Sequence, residues 1–383
     1  GDVGQLDLGI SPEDRTKLIN EVEVIFHGAA TVRFDEPLKT AVEINVRGTR
    51  EMCKLARACT KLKAMVHIST AYSNCIQQEI DEKFYESPLP GDKLIDLVET
   101  MDVKVINNIT PGLLGDYPNT YAYTKASAED VVQKYSKGLP VALFRPSIGA
   151  GVGLLHVLNC NPKALADLVP GDMVVNACIA TAWKTAKEYP GNHEDAPPLD
   201  LPPPVYNYVS KIHEIQRSVR LRRAQHSGSV LLPVSPDSVQ IFIHSLLFLP
   251  ALGPRVHYRR DRPSYWEEAY AYRKIDKFSE VIGYFAMRQW KFHNKNTQSL
   301  YKELCEADKH NFDFDMAGID WSDYFFSYVR GIRVYLLKDP VETVPAAIKK
   351  HYKLKLTHYF FCTVLSLIVL RVFWVLLKSM FSF

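Results

Sequence analysis

Short β-type runs alternate with helix-length amphipathic runs through residues 1–148, and each β-type run ends in small or hydroxyl-bearing residues. Ser11 and Pro12, followed by Glu13 and Asp14, form a helix start with a serine cap and acids in the first turn. Residues 21–26 predict a strand that runs into His27, Gly28, Ala29 and Ala30, where a backbone can approach a ligand closely. A helix is expected over 37–58, because Leu38, Ala41, Val42, Asn45, Thr49, Met52 and Ala56 recur at three- and four-residue steps. Asn45 sits inside that stripe, and a buried amide needs hydrogen-bond partners. The next strand, 62–68, ends at Ser69 and Thr70, and a long polar excursion then reaches Tyr117. Asn119 or Thr120 caps another helix, on which Tyr121, Lys125, Ala128, Val132 and Tyr135 share one face and Gly138 is the stop. A third strand, 139–144, ends at Arg145, Pro146, Ser147 and Ile148.

Strands alternating with helices at these lengths imply an α/β fold with a parallel sheet covered on both faces. Ligands of such sheets bind beyond the carboxyl ends of the strands. His27, Ser69, Thr70 and Ser147 all fall there. Residues 161–187 are expected to be helical, 188–204 a Pro-rich loop, and the chain from about 210 onward long helical stretches rich in aromatic residues. The expected division is 1–234, 235–350 and a tail at 357–380.

The aromatic set Trp290, Phe292, Trp321, Tyr324, Phe325, Tyr328 and Tyr335 is expected to be core, and Arg330 and Arg333 solvated. Lys plus Arg number 46 against 43 Asp plus Glu, a net charge of +3, so bulk electrostatics give no case for nucleic-acid binding. The seven cysteines include no CxxC pair, so neither a zinc site nor a redox motif is signalled and reduced thiols are expected.

Tyr121 and Lys125 carry the chemistry. At a spacing of four they lie one turn apart on one helix face. An ammonium beside the phenol would lower its pKa from about 10 and make Tyr121 a proton donor to a carbonyl oxygen under reduction. Lys125 can also hydrogen-bond a ribose, and the hydroxyl of Thr70 or Ser69 can hold the carbonyl oxygen. Asn45 is expected to hold a water or backbone carbonyl that links Lys125 to solvent. Tyr and Lys are common, so the spacing gains weight only from the residues at the three strand ends.

Those strand ends occur in the order of a short-chain dehydrogenase/reductase, and the whole chain resembles the alcohol-forming fatty acyl-CoA reductases, the male-sterility family abundant in insects. The resemblance rests on FHGAATVRFDE at 26–36, INVRGT at 44–49, VHISTAY at 66–72, PNTYAYTK at 118–125 and FRPSI at 144–148. It continues through NP at 161–162, ADLVPGDM at 166–173, WKF at 290–292, NFDFD at 311–315, IDW at 319–321 and YVRGIR at 328–333. It implies a Rossmann-like sheet of the extended short-chain dehydrogenase/reductase type, a helical second domain and a membrane tail. It also implies reduction of a long-chain acyl-CoA by two NADPH to a primary alcohol and free CoA, through an aldehyde. Tyr121 would donate the proton, Lys125 tune it and hold the ribose, and Thr70 with Ser69 hold the carbonyl. His27, Gly28, Ala29, Ala30 and Asn45 would line the cofactor, with Pro146, Ser147 and Ile148 beside the nicotinamide, and no metal is implied.

The chain departs from the family in two places. The family's TGxxGxxG turn is absent, since Gly1, Gly4 and Gly9 follow no strand, and the loop after Ile148 is short. That turn supplies a helix N-terminus for the pyrophosphate. The expectation is therefore a partial sheet in an N-terminally truncated chain that, as it stands, binds no dinucleotide tightly and does not turn over. Two other functions stay open: a membrane-associated lipid-binding relative without catalysis, and a reductase-fold enzyme of another substrate class.

Residues 359–377 are apolar except for Thr363, Ser366 and Arg371, about the length needed to span a bilayer. Lys349, Lys350, Lys353 and Lys355 precede the run, and Lys378 alone follows, which places the catalytic part on the cytosolic side. The expected address is the endoplasmic reticulum membrane, with the peroxisome as the alternative.

Overall fold

In the computed structural model, residues 1–147, 169–189, 203–209, 283–285, 287–331, 334–335, 338 and 340–380 are described. Ile148, the loop that follows it, and the expected boundary near 235 lie outside them. The chain divides into two compact units, one reaching Gly318 and one from Ile319 onward.

The first unit is built on a parallel sheet of β1 (Val24–His27), β2 (Ala64–Ile68), β4 (Val141–Pro146) and β5 (Val205–Tyr208), hydrogen-bonded in that order. Strand β3 (Glu79–Ile80) pairs instead with β6 (Lys291–Phe292), also in parallel. In register, His27 lies opposite His67, and His67 opposite Leu143. Helix α1 (Pro12–Glu21) starts as expected, the Ser11 hydroxyl accepting from the Asp14 amide.

The expected helix over 37–58 is continuous but not uniform. α2 (Leu38–Val42) and α3 (Gly48–Ala58) are joined by a π turn over Glu43–Arg47 with Asn45 at its centre. Single π turns inside helices are frequent at functional sites. Helix α6 (Thr120–Tyr135) begins on Asn119, whose side chain accepts from the Ala122 amide. Helix α7 (Gly171–Glu188) covers the opposite face of the sheet.

Three expectations are corrected. The polar excursion before Tyr117 carries two helices, α4 (Gly91–Thr100) and α5 (Val103–Leu114). Gly91 lets α4 press onto α6, because a Cβ there would stand 2.3 Å from a Val131 methyl and 3.0 Å from the Ser127 carbonyl. A strand, β5, stands where a loop led into helices, and its Asn207 side chain donates to the carbonyls of Ile80 and His293, tying β5 to both short strands. Of the aromatic set, Trp290 and Phe292 are core, whereas Tyr335 is 77% exposed.

Helices α8 (Lys295–Glu303) and α9 (Glu306–Asn311) complete the first unit. The second unit holds α10 (Trp321–Gly331) and α11 (Val344–Met380). Among the described residues, no helix is long and apolar enough to cross a membrane. β1 is an edge of the described sheet, and its Val24 and Phe26 are 43% and 47% exposed.

Candidate active site

One sheet face sets up the site. Ile25, Met65 and Val141 form an apolar layer with α3 and α6. One step toward the carboxyl ends come His27 and His67, and one step further Ser69 and Arg145. The layer thus turns from apolar to ionic as it approaches the end of the sheet where α6 begins.

Lys125 is 3% exposed, and its ammonium donates to the carbonyl of Ile68, the last residue of β2, at 2.9 Å. Burial pulls its pKa down to about 8, with the Glu129 carboxylate opposing the fall. One turn earlier stands Tyr121, with the Thr70 hydroxyl as its polar neighbour. Burial raises the phenol, and the neighbouring Thr70 hydroxyl works against that rise. The spacing argument expected Lys125 to lower this phenol. Here the ammonium is committed to the Ile68 carbonyl, and Thr70 is the group that opposes the rise.

Ser69 and Thr70 separate. The Ser69 hydroxyl donates to Glu129 Oε1 at 2.6 Å. Glu129 in turn takes both Nε and Nη2 of Arg145, at 2.9 and 2.5 Å, and accepts from Asn74 at 3.3 Å. Arg145 is wholly buried and also donates to the carbonyls of Asp81 and Lys83. Opposed by its own burial, Arg145 holds the Glu129 carboxyl below its usual range. Ser69 therefore anchors the strand end to α6, and only Thr70 faces the phenol.

Asn45 is also engaged. Its carbonyl oxygen accepts from the Thr31 amide at 2.9 Å, and its amide nitrogen donates to the Thr31 carbonyl and to the Thr124 hydroxyl. It clamps the loop after β1 to α6 through Thr124, the residue before Lys125. His27 is buried with Nε2 3.0 Å from the Thr49 hydroxyl. Thr49 gives its one proton to the Asn45 carbonyl at 2.7 Å, so His27 must be the donor through Nε2. Its Nδ1 and both nitrogens of His67 have no partner. Burial and then Lys125 lower His27 to about 3 and put His67 well below its usual value, so both rings are neutral. Pro146 and Ser147 are buried at the end of β4, their backbones bonded to Ala71 and Tyr208. Ile148 lies outside the described residues.

Glu129, Arg145 and His67 escaped the sequence argument as site residues. Glu129 is four residues after Lys125, on the face already carrying Tyr121, and its charge on a buried stripe is the signal that could have found it.

The site can be tested against a dinucleotide. Gly28 and Ala29 are exposed and Ala30 half-exposed, a ledge of small residues at the end of β1. A Cβ at Gly28 would press on the Ile68 side chain at 3.3 Å. Beside the ledge is a buried ammonium whose carboxylate neighbour, Glu129, is already shared with Arg145. Small backbone, a buried cation and a phenol fit the nicotinamide-ribose half of such a cofactor. A cavity of about 380 Å³ lies away from these groups, lined by Tyr208, Thr297, Tyr301, Phe314 and Met316 among others. Tyr121, Lys125 and Thr70 take no part in it, so geometry at the strand ends, and not cavity size, locates the chemistry.

A parallel sheet with a Tyr–Lys pair and a threonine at its carboxyl end defines an NAD(P)-binding reductase of Rossmann type. Residues 1–151 match an NAD-binding family model described as male sterility protein, and residues 267–339 match a second model of the same description. The chain is 35% identical over 401 residues to fatty acyl-CoA reductase wat of Drosophila melanogaster, covering 94% of this chain and 74% of that protein. It is also 35% identical over 410 residues to fatty acyl-CoA reductase 2 of Bos taurus, covering 97% and 77%. Among solved structures it is similar to the terminal R domain of the myxalamid PKS-NRPS pathway, at 18% identity, 82% and 72% coverage and a TM-score of 0.46, too loose to carry an argument. The chain belongs to the fatty acyl-CoA reductases, and it is an oxidoreductase.

Proposed function

We propose that the chain reduces long-chain acyl-CoA to the primary alcohol and free CoA, through the aldehyde, with NADPH. The observation that carries this reading is the buried ammonium of Lys125, held on the last carbonyl of β2 one helical turn from Tyr121, with Thr70 two residues beyond that carbonyl. Two NADPH molecules, bound in turn, would each supply one hydride, the first to the thioester, whose CoA leaves as a thiolate and is protonated from solvent, and the second to the aldehyde. The hydroxyls of Thr70 and Tyr121 accept the substrate's carbonyl oxygen between them, two donors aimed where negative charge develops. Tyr121 delivers the phenolic proton to that oxygen in the aldehyde step, and Lys125 stabilises the resulting phenolate. A group with a pKa of about 8 exchanges protons readily near neutral pH. Lys125 also holds the nicotinamide ribose, with Gly28, Ala29 and Ala30 beneath the cofactor and Pro146 and Ser147 at its flank. His27 and Asn45 support this ledge from behind.

To test this, membranes of cells expressing the protein are incubated with labelled hexadecanoyl-CoA and NADPH or NADH. Labelled alcohol with NADPH is expected. Neither aldehyde nor alcohol with either cofactor would sink the reading.

The apolar run at 359–377 lies within the single helix α11. Phe360, Phe361, Leu367, Ile368, Val369, Leu370 and Trp374 are all more than half exposed along it. These features support a membrane anchor, on the endoplasmic reticulum with the catalytic part cytosolic. Removing everything after Leu356 should release the protein to the soluble fraction. Carbonate-resistant membrane binding of that variant would count against the tail as the anchor.

A further inference from the structure

The ring of Tyr121 abuts a row of aromatic rings at the rim of the core. Phe34 lies 5.4 Å from the Tyr121 ring and 5.7 Å from Phe285. Phe285 lies 5.0 Å from Tyr72 and 5.2 Å from Tyr284. Trp290 and Phe292 behind them are 7% and 8% exposed and fill the core, while Phe34, Tyr72, Tyr284 and Phe285 are half-buried, the last three packed on that core with part of each ring left at the surface. Half-exposed aromatic rings grouped beside a reacting group are a surface suited to an apolar ligand.

The row is also held in place. Thr31 is pinned by Asn45, and the carbonyl of Glu36 accepts from Thr120, so the loop carrying Phe34 is braced at both ends. The Trp290 indole donates to the Cys75 carbonyl at 2.9 Å, and the Tyr284 hydroxyl bonds the same carbonyl at 3.4 Å. Phe285 is thereby fixed over the loops that follow β1 and β2. Its segment comes from the part of the chain that matches the second family model.

We infer that Phe34 and Phe285, continued by Tyr72 and Tyr284, form the wall that seats the first methylenes of the acyl chain, and that they set the preference for long over short acyl groups. The inference rests on the proposed acyl-CoA reduction. With the carbonyl oxygen held at Tyr121 and Thr70, one direction leads over the small-residue ledge of Gly28 and Ala29, which has no long side chain to contact. The other leads along the aromatic row, and an alkyl chain gains contact only on the second path. Phe34 and Phe285 touch the substrate's chain and not its reacting atoms, so they position and select.

The test compares hexadecanoyl-CoA with butanoyl-CoA in the full chain and in Phe285→Ala, Phe285→Leu and Phe34→Ala. In each alanine variant the ratio of kcat/KM for the long to the short substrate should fall about 10-fold or more, the scale of a lost methylene-sized contact in an apolar pocket. The loss should sit mainly in KM, and Phe285→Leu should restore most of the ratio. Equal losses for both substrates, or none, would overturn the inference. A second readout needs neither turnover nor a folded variant. Hexadecanoyl-CoA bearing a diazirine near the carbonyl, photolysed on the unsubstituted protein, should label peptides carrying Phe34 or Phe285. Label confined to the cavity around Tyr301 would overturn it. Unsubstituted protein that reduces neither substrate refutes the proposed function instead, while the labelled peptides still decide where the chain lies.

Discussion

Replacing Lys125 by Met should make the protein more stable at neutral pH while removing activity. The ammonium is buried, and its pKa falls from 10.5 to about 8. Each unit is about 1.4 kcal/mol, so keeping it charged at pH 7 costs the folded state about 3 kcal/mol relative to the unfolded chain. Methionine fills similar space without that cost, but it leaves the Ile68 carbonyl without its donor, a loss of about 1–2 kcal/mol. The net gain expected at pH 7 is about 1–2 kcal/mol. The sign with pH is fixed by linkage. Between about 8 and 10.5 the unfolded chain binds the proton that the folded protein has released, so the wild type gains stability as pH rises through that window. The advantage of Lys125→Met should therefore shrink by about 2–3 kcal/mol between pH 7 and pH 10 and change sign. Urea titrations of both proteins in detergent, at those two pH values, measure it. A stability difference that does not change with pH would refute the reasoning, because Lys125 would then keep its ordinary pKa.

Tyr121→Phe should lower turnover by about 10²–10⁴-fold, the usual contribution of a positioned general acid, with its melting temperature little changed. Glu129→Ala should cost about 3–5 kcal/mol, because the wholly buried Arg145 is left without its carboxylate. The double replacement Glu129→Met with Arg145→Met should recover most of that loss in a urea titration, and no recovery would argue against charge burial as the cause. The neutral histidines predict acid sensitivity. His27 is lowered from 6.5 to about 3, so its contribution is intact above pH 6.5 and is lost as pH falls toward 3, about 2–3 kcal/mol by pH 4.5. His67→Leu should flatten the acid limb of a melting-temperature profile, and an unchanged limb would mean that His67 does not resist protonation.

The β1, β2 and β4 pattern and helix α6 were legible because their signals are local: hydrophobic periodicity, an Asn cap and residues that stop a strand. Helix α4 lacked such a signal. Pro90 stands at its cap position without a side-chain hydrogen bond, and its start is fixed by the close approach of Gly91 to α6. Helix α5 carries Pro111 in its interior, a residue that reads as a helix breaker, and fully buries only Ile106. Strand β5 is four residues long with an asparagine inside, and its pairing with β4 and the carbonyls held by Asn207 are contacts across more than sixty positions of sequence.

The pair Ser69 and Thr70 shows the same division at the site itself. Both carry a hydroxyl at the end of one strand, and either can hold a carbonyl oxygen. Successive side chains on a strand point to opposite sides. One hydroxyl therefore goes beneath α6 and the other toward the strand-end surface, but the order of the two depends on register. Register is set here by what each neighbour needs. Arg145 enters a fully buried layer and requires a carboxylate, Glu129 supplies it from α6, and the carboxylate's remaining capacity is filled by Ser69 and Asn74. A buried guanidinium leaves little freedom, since an unpaired charge at that depth costs several kcal/mol. The ionic layer consequently fixes Ser69 inward and sends Thr70 to Tyr121. The residues that decide which hydroxyl meets substrate are thus a glutamate and an arginine that do not touch Tyr121, separated from the pair by sixty and seventy-six positions in sequence.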